Sequence, residues 1–172
     1  VTDVVVRALD ATDADLFDTL PDPLGAREAH RLTRHRPDWK RVVLRDGRVV
    51  ARGAWWGGPD DTEPVNLNWF DVTDGEEEAG AVLLRSAPWQ VELELNLPAG
   101  WCDDPALRSA AEARVTAARK AGYDLLVERL LYRWTPDRPS GPGVWCSVPN
   151  RTTPCSSTRC AASTPSRWTP MR

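Results

Sequence analysis

Between Asp71 and Ala81 the chain reads Asp-Val-Thr-Asp-Gly-Glu-Glu-Glu-Ala-Gly-Ala, an apolar strand that runs through a glycine into the start of a helix. A helix N-terminus offers unpaired N–H donors and the positive end of a dipole, and together these can hold an anion such as a pyrophosphate. Here Asp74, Glu76, Glu77 and Glu78 crowd the same turn. Carboxylates at that place stabilise the helix by about 0.3–1 kcal/mol each. Thr73 with Glu76, or Asp74 with Glu77, can close a self-contained cap. Donors served in this way are lost to a ligand, and four negative charges repel an anion. The expectation is a well-capped structural helix.

Other residues able to do chemistry are scattered. Glu92 and Glu94 fall two apart in Trp89–Leu97 (WQVELELNL), whose alternation of apolar and polar residues has the period of a half-buried strand. Both therefore share a face, opposite Val91, Leu93 and Leu95. Cys146, Cys155 and Cys160 lack the paired short spacings of a zinc site and have no histidine nearby, so no metal site is expected. A disulfide scaffold is not expected in a cytosolic chain. Nine Lys/Arg with His30 and His35 lie between Arg27 and Arg52, against Glu28, Asp38 and Asp46. That stretch reads as a solvated face, or one that docks an acidic partner. Trp55, Trp56, Trp69, Trp89 and Trp101 read as core or interface aromatics.

The elements that must position these groups follow from local pattern. Val4–Leu9 is a β-branched first strand. Asp10 or Thr12 caps a short helix ending at Leu20, and Leu24–His35 is a second helix, stopped before Pro37. Asp46-Gly47 between Lys40–Arg45 and Arg48–Trp56 signals a type I′ hairpin. Val65–Val72 is the next strand, followed by a helix over about 76–87 and the strand 89–97. Asp104 then caps a helix with Pro105 at its first position, ended by Gly122. Leu125–Trp134 is a last strand. The order β-α-α-β-β-β-α-β-α-β predicts an α/β chain, a mixed sheet covered by helices.

The 172 residues suit one such domain, and composition divides the chain in two. Residues 1–137 carry a net charge of −8, while 138–172 hold five arginines and no acid. The balance of the first part argues against nucleic acid. Nothing approaches the ~20 consecutive apolar residues of a membrane span, and the N-terminus does not read as a signal peptide; the expected compartment is the cytoplasm. From Arg138 onward there is no Leu, Ile or Phe among six prolines and eleven Ser/Thr. Residues 138–172 are therefore expected to be disordered. They also read as an out-of-frame translation. Shifted one base earlier, with the ambiguous bases filled by choice, Val144–Pro149 can encode Arg-Leu-Val-Phe-Arg-Pro, an apolar strand.

The element order, the Asp-Gly hairpin, the strand-loop-helix step at Asp71–Leu84 and the helix ending Ala121-Gly122-Tyr123 together resemble the GNAT N-acetyltransferase superfamily over Val4–Trp134. The segment Val127–Pro136 is similar to the close of the N-terminal half in tandem GNAT proteins of actinobacteria. The resemblance implies a GNAT-like acyl-CoA N-acyltransferase fold over 1–137 with its last strand missing. It implies acetyl-CoA as co-substrate, a small-molecule amine as acceptor, and a second GNAT half or a homodimer as partner. It would place the cofactor at Val72, Gly75, Gly80 and Ala81, although the family's Gln/Arg-x-x-Gly-x-Gly/Ala loop is degenerate here. Glu92 as base and Tyr123 as acid are the catalytic candidates it implies. A weak or non-catalytic half, or a cofactor-free binding module, follows from the degenerate loop.

Overall fold

The computed structural model describes residues 3–29, 35–129 and 164–170. Its strands are β1 (Val5–Ala8), β2 (Lys40–Arg45), β3 (Arg48–Trp56), β4 (Asn66–Val72), β5 (Glu92–Leu97), β6 (Tyr123–Glu128) and β7 (Thr164–Pro170). Its α-helices are α1 (Ala14–Phe17), α2 (Ala26–Ala29), α3 (Glu77–Ser86) and α4 (Pro105–Lys120), with 3-10 turns at Ala11–Asp13 and Pro37–Trp39. The strands make one mixed sheet in the order β1-β2-β3-β4-β5-β7-β6. The chain is thus mixed α/β, with the expected alternation of elements. Among the described residues no helix is long and apolar enough to cross a membrane.

Local chemistry accounts for most of these elements. At the β2–β3 turn Asp46 and Gly47 take φ of 51° and 76°, the two positive values that a type I′ turn requires. The Asp104 carboxylate accepts from the N–H groups of Ala106 and Leu107 at 2.8 and 3.1 Å, with Pro105 at the position where a missing N–H costs nothing. Helix α1 is shorter than its pattern promised, because its first turn is 3-10. The stretch 30–34 and everything from 130 to 163 lie outside the described residues, including part of the second expected helix and the end of the last expected strand.

Helices α3 and α4 cover one face of the sheet, over a core that includes Val43, Trp55, Leu67, Phe70, Leu83, Leu93, Ala117 and Tyr123. The segment carrying α1 covers the other, where Leu9, Phe17, Val42, Ala54 and Trp69 cluster. Gly80 sets the closeness of the first layer. A Cβ there would stand 2.9 Å from the Ala117 Cβ and 3.1 Å from Val72.

One expectation is corrected. The last strand is not missing, and 164–170 is not disordered: β7 lies between β5 and β6, antiparallel to both. Composition hid it because pairing on two sides and the burial of one side chain, Trp168 at 3 % exposure, come from residues distant in sequence. The other tail residues are outside the described ones.

Candidate functional site

Every neighbouring pair in the sheet is antiparallel except β4 with β5. These two pair only at Asn66↔Glu92 and Leu67↔Leu93, so beyond Leu67 they part. Backbone groups on facing strand edges are then left for some other partner, and in mixed sheets such an opening is where ligands bind. The opening is a cleft lined by Leu24, Ala26, Asn68, Asp71, Glu94, Asn96 and Arg114, with an internal volume of about 10 Å³. That is the room a single water needs.

The cleft is small because a side chain fills it. Arg114 projects from α4, on one face, and its Nε donates to the Phe70 carbonyl at 3.1 Å and to Asp71 Oδ1 at 3.0 Å. Its Nη1 donates to the Ala110 carbonyl at 2.5 Å, and its Nη2 also meets Asp71 Oδ1. Asp71 belongs to the opposite face. There its Oδ2 accepts from Arg52 Nε at 2.7 Å and from the Trp69 indole at 2.8 Å. Arg52 Nη1 donates to the Phe17 carbonyl at 2.9 Å, and the guanidinium lies 5.2 and 5.1 Å from the Phe17 and Trp69 rings. Arg52 Nη2 lies 2.7 Å from Asp71 Oδ2 but makes no hydrogen bond; the charges attract, while the N–H is misaligned. Burial raises the Asp71 pKa, and the flanking Arg114 and Arg52 more than offset it, holding the carboxyl below its usual range.

At the rim, His35 Nε2 and Asn68 Oδ1 are 2.7 Å apart, joining the segment before Pro37 to β4. Glu94 is half-buried, and its contact with Asn66 Nδ2 is long, at 3.4 Å.

The start of α3 differs from its expected cap. Glu76 is the N-cap residue, and no side chain caps the helix. The carboxylates serve other partners. Arg45 Nε donates to Glu76 at 3.0 Å, Ser109 Oγ to Asp74 at 2.6 Å, and Arg85 to Glu78 at 2.6 Å. Glu77 folds back to accept from the Gly75 N–H at 2.9 Å. The capping pairs thus lose to cations and hydroxyls supplied by distant segments.

Val72 and Ala81 are buried in the core, at 4 % and 0 % exposure, and Gly80 packs against Ala117. Of the four residues that resemblance would give a cofactor, only Gly75 stands in open space, at φ of 83°. Glu92 and Tyr123 are not brought together. Tyr123 packs into the core with Leu93 and Trp168, where burial raises its phenol pKa. Glu92 alternates with Leu93 and so points to the other face. Among the described residues of the basic stretch four arginines are paired: Arg27 with Asp18, Arg36 with Asp38, Arg45 with Glu76, and Arg52 with buried Asp71. Among the described residues no group of three or more His, Cys, Asp or Glu could hold a metal. Cys102 is disulfide-bonded, against the expectation from compartment, and the other cysteines lie outside the described residues. A disulfide depends on two Cβ atoms coming within about 3.5–4.5 Å, which compartment reasoning does not see.

The chain matches no family model and no curated protein.

Proposed function

We propose that the chain is a cytoplasmic GNAT-like N-acetyltransferase domain that has lost its cofactor and serves as the non-catalytic, supporting half beside a second GNAT half or a second copy. One observation carries this reading. The β4–β5 opening, where the sheet could take a ligand, is closed by the chain's own Arg114, which uses the Phe70 carbonyl and Asp71 for itself. The carboxylates at the start of α3 support it, since they set negative charge where acetyl-CoA would bring its pyrophosphate. In this role the domain would shape an amine acceptor's groove on the partner half.

The test is calorimetric titration of the chain with acetyl-CoA. The expected result is no saturable heat up to millimolar ligand. Saturable binding, or release of the CoA thiol with any member of an amine panel, overturns the reading in favour of a divergent enzyme.

A second reading, a cofactor-free binding module, draws on Glu94, a half-buried carboxylate with one weak contact beside the cleft. A small cationic ligand that raises the melting temperature, with no response to CoA, would favour it.

A further inference from the structure

Trp56, Asn66 and Glu94 stand side by side across β3, β4 and β5, on the sheet face away from α3 and α4. Leu67 and Leu93 belong to the core under those helices, so by alternation Asn66 and Glu94 point the other way. Trp56 follows Trp55 of the same core and pairs with Asn66 in the register. Directly opposite residues of an antiparallel pair hold their Cβ atoms about 4.5–5.5 Å apart. Trp56 is 36 % exposed, whereas Trp39, Trp55 and Trp69 are each 7 % or less. Beside its indole two acceptors lack donors. Asn66 Oδ1 is buried without a hydrogen-bond partner. Among the described residues, the half-buried Glu94 carboxylate accepts only the long 3.4 Å contact from Asn66 Nδ2. Turning the Asn66 amide over would not help, because its oxygen would then face the carboxylate.

An exposed indole, a carboxylate and an amide oxygen without a donor call for a flat cation built only of donors. A guanidinium is such a group. It carries five N–H donors and no acceptor, forks onto a carboxylate and stacks on an aromatic face. A quaternary ammonium could use the indole but has no N–H for Asn66. A primary ammonium has the N–H groups but no flat face. We propose that Trp56, Asn66 and Glu94 form a binding site for a small molecule that bears a guanidinium. The indole stacks on its plane, Glu94 takes two of its N–H groups, and Asn66 Oδ1 takes a third. This deepens the reading of the chain as a cofactor-free binding module, and rests on it. The chain's own Arg167 stands opposite Glu94 in the register, so the test must exclude it as the occupant.

The experiment titrates methylguanidinium into the full 172-residue chain, isotope-labelled, and follows the Trp56 indole and Asn66 amide signals by NMR. The expected result is a saturable shift of both, absent with methylurea, the neutral isostere. Glu94→Gln should weaken binding about tenfold, the range of a hydrogen bond to a charged group. Trp56→Ala should weaken it about two- to fivefold, and Trp56→Phe, which keeps an aromatic face, by less. Arg167→Gln should leave binding unchanged or tighten it. Absence of a saturable shift, equal binding of methylurea, or full affinity in Glu94→Gln overturns the proposal. Binding that appears only in Arg167→Gln would mean that the chain fills the site itself, and overturns it too. Methylammonium or tetramethylammonium bound as tightly as methylguanidinium overturns the proposal but keeps the binding-module reading. Binding of no cation at all removes both.

Discussion

Arg114 and Asp71 meet through the sheet rather than across one of its faces. The arginine stands on α4 above one face, the aspartate points from β4 to the other, and the guanidinium reaches it where β4 and β5 have parted. Arg52 completes the group from β3, and all three side chains are 3 % exposed or less. Two arginines against one aspartate leave a buried excess of positive charge. Such a group holds together through its hydrogen bonds and is costly to break, but contributes little over a well-packed apolar substitute.

Asp71→Asn should therefore destabilise the fold by about 3–5 kcal/mol, because it strands two buried guanidiniums. The concerted change of Arg52, Asp71 and Arg114 to Met, Leu and Met should by contrast lie near neutrality or above it. Urea denaturation of both variants distinguishes the cases. A concerted variant as unstable as Asp71→Asn would mean that the cluster does more than fill the opening.

The same group sets a pH dependence. Asp71 has a folded pKa below its unfolded value, near 3.9. Its contribution is complete above the unfolded pKa and is lost as pH falls through the folded one. Acid denaturation curves below about pH 4 should be steeper for the parent than for Asp71→Asn, which has no carboxyl to protonate. Parallel curves would assign acid sensitivity to other groups.

What could be read in the sequence was what depends on near neighbours. The Asp46-Gly47 turn, the Asp104 cap, the Pro105 start and the alternation along β5 each involve residues a few positions apart, and each is found. The Arg114–Asp71 contact spans 43 positions. Asp71 reads as one polar position near the end of the strand Val65–Val72, while Arg114 reads as one more polar position on a helix. Neither pattern signals that the strands part between them. The carboxylates at α3 misled for the same reason: Thr73, Asp74, Glu76 and Glu77 can cap locally, but Arg45 and Ser109, from distant segments, take two of them.

Gly80 tests the packing of α3 on α4. In an open helix Gly→Ala gains about 1 kcal/mol from propensity. Here the new Cβ would stand 2.9 Å from the Ala117 Cβ, 3.1 Å from Val72 and 3.2 Å from Phe70, and overpacking a core costs about 1–3 kcal/mol. The second effect wins, so Gly80→Ala should lower the melting temperature, and Gly80→Val should lower it further. A more stable alanine variant would show that the helices can separate at no cost.

Trp168 decides how firmly β7 belongs to the core. It stands opposite Leu93 of β5 and Leu125 of β6 in the register and is buried in the core with Leu93, so Trp168→Ala should remove about 3–5 kcal/mol, as truncation of a buried aromatic does. Trp168→Phe changes two terms of opposite sign. It gives up part of the ring's contact area and the stacking of Arg119, but it also removes a buried indole N–H that has no acceptor. An unsatisfied buried donor costs about 1–3 kcal/mol, enough to offset the lost contact. The expected order of stability, read by denaturant midpoint, places the phenylalanine variant within about 1 kcal/mol of the parent and the alanine variant far below both. An alanine variant as stable as the parent would mean that β7 contributes no stability to the sheet, and that the core closes over β5 and β6 without it.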